Sequence, residues 1–207
     1  MTSPVKGRLM RRIIIGISGS SGVIYGIRLL EIFKDQEDIE THLVMSGAGR
    51  MNVGIETDYR LRDVEALADV VHRTNNVAAN ISSGSFRTEG MIVAPCSMKT
   101  LSGIVNSYSD NLLCRAADVV LKEGRKLVLM PREAPLHVGH CKLLYEAAQM
   151  GIIIAPPMPA FYNKPQTVED IIDHSLGRVL DLFELDPGIV KRWSGHDKIK
   201  RACDERS

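Results

Sequence analysis

The chain has 207 residues, of which 44% are hydrophobic and 25% are charged, a composition typical of globular proteins and unlike that of disordered or fibrous chains. Lys and Arg number 26 against 25 Asp and Glu, for a formal net charge of +1, so the overall charge favours neither nucleic acid nor an anionic membrane as a partner. The length predicts one domain over 1–207, with flexible tails at 1–10 and 196–207.

The cysteines are too widely spaced for a metal-binding or CxxC motif. They are Cys96, Cys114, Cys141 and Cys203. We therefore expect free thiols, no metal and a reducing, cytoplasmic location. The first apolar run, Ile13 to Ile15, ends at Gly16 and is too short for a signal peptide or a membrane span.

Short apolar runs alternate with helical patterns along the chain. The runs at 13–17, 42–45, 91–94, 127–130 and 152–155 predict strands buried on both faces, as in parallel sheets. Helical spacing predicts helices over 23–34, 61–72, 98–108, 112–123, 138–150 and 167–183, and Thr167 followed by Asp170 is typical of an N-terminal cap. The fold class is therefore α/β: a single-domain, doubly wound, mostly parallel sheet, Rossmann-like or flavodoxin-like, with helices on both faces.

The turn after the first predicted strand is rich in serine and glycine. It has the sequence GISGSSG over 16–22, and a helical pattern follows at once. Ligands of doubly wound sheets bind at the carboxyl ends of the strands, where a helix N-terminus offers free N–H groups and a partial positive charge. The spacing matches neither GxGxxG nor GxxxxGK[ST], so a single phosphate, as in a mononucleotide, is favoured. A tight turn without a ligand is the alternative.

Hydroxyl groups also follow the next two predicted strands. Ser46 comes after the second strand and Ser97 after the third. Because carboxyl ends of parallel strands meet at one edge, these hydroxyls and those of the first turn are expected to converge. Each serine could instead be only a helix cap. We interpret Cys96 as a buried structural thiol rather than a nucleophile.

One predicted helix carries a charged stripe. Arg115 and Lys122 are seven residues apart and share a face, with Asp118 between them. They could bind a phosphate, or they could form a ladder of surface ion pairs with Asp118.

Further polar groups follow the fourth and fifth predicted strands. Arg132 and Glu133 come after the fourth strand, where an arginine can bind a phosphate and a glutamate can move a proton. The apolar segment PPMPAFY over 156–162 predicts a stiff loop lining a cavity or an interface. Tyr162 at its end offers a hydroxyl group, with a half-buried interface tyrosine as the alternative.

Together these features resemble the UbiX-type flavin prenyltransferases, in order from Ile13 to Trp193. The most specific stretches are APCSMKTLSGI, RAADVVLKEGRKLVLMPREAPL and PPMPAFYNKPQTVEDI, while ETHLVMS and ISSGSFRTEGMIV resemble the branch of the family that is encoded together with phenolic-acid decarboxylases. The resemblance implies a homo-oligomer, usually a dodecamer, that joins a dimethylallyl group from dimethylallyl phosphate to N5 and C6 of reduced FMN. The prenylated FMN would serve a UbiD-type decarboxylase. Whether the donor is the monophosphate or the diphosphate stays open.

The resemblance also implies roles for particular residues. Its flavin contacts fall on Gly19, Ser20, Ser21, Ser46, Ser97, Met98, Lys99, Thr100 and Arg132. Its contacts to the prenyl phosphate fall on Lys122, Arg132, Glu133, Tyr162, Arg178 and Arg115. The catalytic set is Glu133, Ser21, Glu56 and Lys122. Glu133 is expected to transfer a proton to or through the phosphate, and protein cations are expected to stabilise the departing charge without a metal.

One segment departs from the family pattern. At 136–144 the chain reads LHVGHCKLL; His140 keeps its place, but Lys142 and Leu143 replace an acidic and an amide residue. Substrate preference or assembly could therefore differ, and a noncatalytic flavin-carrying accessory subunit is one alternative. An FMN-dependent cysteine decarboxylase is another, which is disfavoured because PCSMKT replaces the asparagine-containing motif and no histidine lies between His42 and His72.

Overall fold

The computed structural model describes residues 10–190 and 192. The chain divides into two compact units, Met1–Pro157 and Met158–Ser207. Apart from Met10, the predicted tails lie outside the described residues, as do Trp193 and Cys203. The prediction of a single domain stays a prediction.

Within the described residues, the first unit contains a sheet of six parallel strands. Their bounds are β1 Arg11–Ile17, β2 Ile39–Met45, β3 Val70–His72, β4 Gly90–Cys96, β5 Lys126–Pro131 and β6 Ile153–Ile154. The strand order is β3-β2-β1-β4-β5-β6, and neighbouring strands pair in parallel. This order reverses between β1 and β4, where doubly wound folds open a ligand-binding crevice. The predicted fold class is confirmed.

Helices connect the strands, and one further helix lies in the second unit. Their bounds are α1 Val23–Lys34, α2 Gly47–Glu56, α3 Leu61–Glu65, α4 Met98–Val105, α5 Leu112–Lys122, α6 Val138–Gln149 and α7 Val168–Asp181. A 3₁₀ turn covers Asn80–Ser82. No helix among the described residues has both the length and the apolarity that crossing a membrane requires.

Two elements differ from the sequence prediction. The helix predicted over 61–72 is wrong in its second half, because Val70–His72 forms the edge strand β3, as suits consecutive β-branched residues. The helix α2 was not predicted, since its glycines lower helix propensity. One of them, Gly49, is required by close packing: a Cβ atom there would lie 2.7 Å from the carbonyl oxygen of Ile17.

The second unit is organised around α7. Its predicted cap is confirmed as a capping box, in which Thr167 Oγ1 accepts from the Asp170 N–H and the Asp170 carboxylate accepts from the Thr167 N–H, both at 3.1 Å. The helix also packs against the chain that follows it, because a Cβ atom at Gly177 would lie 1.7 Å from Cγ2 of Val190.

Candidate active site

A cavity of about 910 Å³ lies at the carboxyl edge of the sheet, within the range of about 300–1,000 Å³ that small-molecule sites occupy. Five residues predicted to contact the flavin line it together: Gly19, Ser46, Ser97, Lys99 and Thr100. Other lining residues were not predicted from the sequence, among them Ala48, Asn106, Tyr108, Asp110 and Asn111. The hydroxyl groups that follow β2 and β4 thus meet at one cavity, whereas the first turn contributes Gly19 to the lining rather than the hydroxyls of Ser20 and Ser21.

Three helices begin at this cavity. The side chains of Ser46, Ser97 and Asn111 cap α2, α4 and α5, and each accepts a backbone N–H from three residues further on, at 3.0, 3.3 and 3.1 Å. Both serines thus serve as caps and as lining residues. Each helix start carries a partial positive charge that favours an anion. The cavity therefore suits a ligand with a phosphate group.

A buried serine joins the two strands between which the order reverses. Ser18 Oγ donates to the carbonyl oxygen of Pro95 at 2.9 Å and accepts from the Ser97 N–H at 2.7 Å. Because both directions of hydrogen bonding are used within the protein, Ser18 acts as a structural link between the ends of β1 and β4. The crevice at the strand-order reversal is fixed by this link.

The turn after β1 has two features that favour a bound phosphate. A Cβ atom at Gly19 would lie 2.5 Å from Cβ of Ala48, so only glycine lets the turn approach the start of α2. Next to it, Ser20 Oγ is buried and has no hydrogen-bond partner among the described residues. A buried hydroxyl without a partner is costly, and a phosphate oxygen beside it would satisfy it. The residues present thus fit a flavin phosphate.

The start of α1 differs from the prediction. A phosphate was predicted on these N–H groups, but Glu56 Oε2 accepts from the N–H of Gly22 at 2.8 Å and of Val23 at 3.2 Å. A side-chain carboxylate therefore takes the anion position of this helix. Glu56 belongs to the expected catalytic set, but its contact with the start of α1 was not predicted, because it depends on the unpredicted helix α2 that Glu56 ends.

A second group of polar residues lies at the same edge, beside the start of α1. Arg132 Nε donates to the carbonyl oxygen of Ser21 at 3.2 Å, and the Arg132 N–H donates to the carbonyl oxygen of Cys96 at 3.3 Å. The neighbouring Glu133 carboxylate is exposed and accepts from the Ala134 N–H at 3.1 Å. The structure thus brings Ser21 and Arg132 into direct contact beside the start of α1.

Lys122 does not join this group within one chain. The helix α5 starts at the cavity and ends at Lys122, and a helix of this length extends about 16 Å at 1.5 Å per residue. Lys122 thus lies at the opposite edge of the sheet, where it pairs with Glu123. Within one chain Lys122 therefore does not reach the cavity, and its expected contact with the prenyl phosphate stays a prediction. Arg115 pairs with Asp118 at 2.7 Å.

Tyr162 and Arg178 belong to the second unit. The Tyr162 hydroxyl lies 2.8 Å from Nε2 of His174, and Arg178 pairs with Asp181 at 2.6 Å. Their expected contacts with a prenyl phosphate stay predictions.

The described cysteines Cys96, Cys114 and Cys141 are free thiols. Burial raises the pKa of the Cys96 thiol, which keeps it protonated and agrees with a structural role. Burial likewise raises the pKa of Cys114. In the part of the chain that the structure describes, no three His, Cys, Asp or Glu side chains are grouped so that they could hold a metal ion.

Fold and cavity together define a doubly wound α/β protein with a polar crevice, suited to an anion, at the reversal of strand order. Residues 3–180 match the family model described as Flavoprotein. The chain is 58% identical over 188 residues to the flavin prenyltransferase UbiX of Escherichia coli strain K12, which covers 90% of this chain and 100% of that protein. The chain therefore belongs to the Flavoprotein family and, within it, to the UbiX-type flavin prenyltransferases.

Two solved structures are similar at a TM-score of 0.87. One is a dodecameric FMN-dependent UbiX-like decarboxylase from Escherichia coli O157:H7, 53% identical, covering 89% of this chain and all of that one. The other is AnUbiX in complex with FMN and dimethylallyl pyrophosphate, 50% identical, covering 89% of this chain and 98% of that one. The resemblance drawn from the sequence is confirmed, while membership of the decarboxylase-associated branch stays a prediction.

Proposed function

We propose that this chain transfers a dimethylallyl group from dimethylallyl phosphate to N5 and C6 of reduced FMN. The observation that carries the proposal is the convergence of three helix starts on one cavity of about 910 Å³. Support also comes from the solved relative that binds FMN and dimethylallyl pyrophosphate. Identity to a prenyltransferase favours this activity over the oxidation that a cysteine decarboxylase performs.

In this proposal the flavin phosphate lies before the starts of α2 and α4. The hydroxyl groups of Ser46, Ser97 and Thr100 would face it, and Lys99 would add a positive charge. Gly19 would let the backbone approach the ligand closely. Reduced flavin, when bound, supplies the nucleophilic nitrogen and carbon atoms of the reaction.

The donor phosphate would lie beside Arg132. A guanidinium group matches two phosphate oxygens, and it acts where negative charge develops on the departing phosphate. Ser21 lies against Arg132, and Glu56 fixes the start of α1 next to it. Glu133 follows Arg132 in the chain and would pass to the departing phosphate the proton that reduced flavin loses as its bond to the allyl carbon forms and the carbon–oxygen bond breaks.

Lys122 would enter this site from a second copy of the chain. Within one chain it lies at the far end of α5 from the cavity, and the solved UbiX-like relative is a dodecamer. Two apolar side chains one turn apart on α2, Met51 and Ile55, are 68% and 73% exposed, as expected of a surface that other copies cover. We therefore propose a homo-oligomer, a dodecamer by analogy with that relative.

Mixing two inactive variants tests this arrangement. Lys122→Met and Glu133→Gln are each expected to lower turnover by about a hundredfold or more. Co-assembled from mixed, unfolded chains, they would form some sites with both residues intact if Lys122 acts from another copy. Recovery of activity supports the proposal. Mixtures that stay as inactive as each parent would contradict it.

The direct test is an anaerobic assay with reduced FMN and either dimethylallyl phosphate or dimethylallyl diphosphate, followed by mass spectrometry of the flavin. Prenylated FMN from at least one donor is expected. Glu133→Gln should still bind FMN but lose turnover, whereas Glu146→Gln, at a half-buried glutamate on α6 that pairs with Lys142, should keep it. FMN binding without product from either donor would favour the accessory-subunit alternative, and full activity of Glu133→Gln would remove Glu133 from its role.

The fate of the product is part of the proposal. We expect a UbiD-type decarboxylase to take up the prenylated FMN. The free thiols of Cys96, Cys114 and Cys141 suit a reducing cytoplasm, where both proteins would meet.

A further inference from the structure

An exposed tyrosine in the second unit is held by a buried histidine. The loop between Pro157 and Val168 contains neither helix nor strand, and Tyr162 within it is 52% exposed. Its hydroxyl nevertheless lies 2.8 Å from Nε2 of His174, a residue of α7 that is only 7% exposed. The two rings meet edge to face, with centroids 5.5 Å apart. The position of this hydroxyl is therefore fixed by α7.

The loop is tied to the start of the same helix. The Lys164 N–H donates to the carbonyl oxygen of Phe161 at 3.0 Å, closing a turn, and the Gln166 N–H donates to the Asp170 carboxylate at 2.7 Å. His174 lies four positions after Asp170, on the same side of the helix. The loop thus returns onto α7 where the imidazole can reach it.

An arginine lies on the same side of α7 as Asp170 and His174. Asp170, His174 and Arg178 are spaced by four residues and so lie on one side of the helix. Arg178 and Tyr162 are two of the residues that the family resemblance predicts to contact the prenyl phosphate. His174 contacts the Tyr162 hydroxyl and lies about one helical turn before Arg178.

We propose that His174 is a positioning residue for the Tyr162 hydroxyl during prenyl transfer; this inference rests on the proposed function. Phosphate oxygens accept hydrogen bonds, so the Tyr162 hydroxyl has to donate its hydrogen to the phosphate. The Tyr162 oxygen then accepts from His174, which requires a hydrogen on Nε2. His174 thereby selects the direction of the tyrosine hydrogen bond as well as its place. As charge builds on the departing phosphate, the two linked hydrogen bonds strengthen each other.

A double-mutant cycle tests this role with Tyr162→Phe, His174→Leu and the double variant. With reduced FMN and dimethylallyl phosphate, each single substitution is expected to lower kcat by about tenfold to a hundredfold, as loss of one preorganised donor does. The double variant should fall no more than about twofold below the weaker single variant, because both substitutions remove the same hydrogen bond. The same pattern is expected for the affinity of FMN-free protein for dimethylallyl phosphate, measured by calorimetry.

Two further variants separate positioning from stability. His174→Gln keeps an N–H donor near the position of Nε2 and should retain most of the wild-type kcat. Ser175→Ala removes a neighbouring hydroxyl that donates to the carbonyl oxygen of Ile171, and should change kcat by less than about twofold even if it lowers the free energy of unfolding.

The outcomes distinguish this inference from the function on which it rests. Product from the wild-type protein, with single losses that multiply in the double variant, would overturn the positioning role alone. The positioning role would also be overturned if the wild-type protein makes product but His174→Gln has a kcat as low as that of His174→Leu, with both variants folded. No product from the wild-type protein with either donor would overturn the proposed function and this inference with it.

Discussion

The starts of α1, α2 and α4 lie at the same edge of the sheet, but different groups accept hydrogen bonds from their first backbone N–H groups. At α1 the Glu56 carboxylate accepts from the first backbone N–H groups. Its negative charge already balances the partial positive charge at the start of that helix. At α2 and α4 the neutral hydroxyls of Ser46 and Ser97 are the caps, and the cavity opens before them. A helix start attracts an anion when its cap is neutral, and much less when a carboxylate is present. The difference separates a structural helix start from a ligand-binding one.

Adding a side chain at Gly19, beside the cavity, is expected to have the largest effect. In Gly19→Val the new side chain would overlap Ala48, whose Cβ lies 2.5 Å from the added Cβ position. The turn has to move away from α2, and we expect the dissociation constant for FMN to rise by about a hundredfold or more, with the free energy of unfolding lower by about 1–3 kcal/mol. Fluorescence titration with FMN measures the first effect.

The matched control is Gly54→Val, at a helical glycine with open space around it. FMN affinity should be nearly unchanged in this control. Equal losses in both variants would mean that Gly19 does not border the flavin.

Reversing a charge at the cavity is expected to be the next largest change. Lys99 is exposed at the start of α4, and Lys99→Glu should raise the dissociation constant for FMN by about tenfold, or about 1.4 kcal/mol. Lys34→Glu makes the same change at the last residue of α1, at the opposite edge. An equal rise of the dissociation constant for FMN in both variants, at the same salt concentration, would contradict a local role of Lys99 at the cavity.

Low pH tests two neighbouring histidines that do not line the flavin cavity. Burial lowers the pKa of His42 on β2 and of His72 on β3, whose rings share a 2.9 Å contact. Around them lie Glu40, 2.7 Å from His42 Nε2, the paired Arg12, and Asp69. Below about pH 6.5 the unfolded chain binds more protons than the folded one, so the free energy of unfolding falls as the pH drops.

We expect a loss of about 1 kcal/mol between pH 7 and pH 5 from this pair. Urea unfolding of the FMN-free protein at several pH values measures it. His42→Gln, which cannot be protonated, should give a shallower pH dependence. An unchanged slope in this variant would assign the acid sensitivity to other groups.

The smallest expected effect is at α1. Glu56→Gln keeps a hydrogen-bond acceptor but removes the charge beside the first-turn N–H groups, so the free energy of unfolding should fall by about 0.5 kcal/mol. FMN affinity should change by less than about twofold. A marked gain in affinity would show that the carboxylate had been competing with the flavin phosphate, and it would remove the distinction between the two kinds of helix start.

The sequence predicted the sheet well because both faces of its strands are buried. Continuous apolar runs such as 13–17 therefore mark β1 and its neighbours. The edge strand β3 carries no such signal, since Val70–His72 is only partly buried. The cap at Thr167 was predictable because its partner Asp170 is three residues away.

Site features that depend on distant contacts were not predictable. The carboxylate at α1 comes from Glu56, on a helix whose glycines conceal it. The place of Lys122 could have been inferred from topology, since a helix that starts at the carboxyl edge of a parallel sheet must end at the other. The contact between Tyr162 and His174 depends on the path of a loop, for which hydrophobic periodicity gives no information.

The most direct measurement is a crystal structure of the protein with bound FMN. We expect the flavin phosphate in the cavity, within hydrogen-bonding distance of the first-turn N–H groups of α2 or α4, with Glu56 still bound to Gly22 and Val23. A phosphate seated on Gly22 and Val23, with the Glu56 carboxylate displaced, would contradict the distinction between the two kinds of helix start.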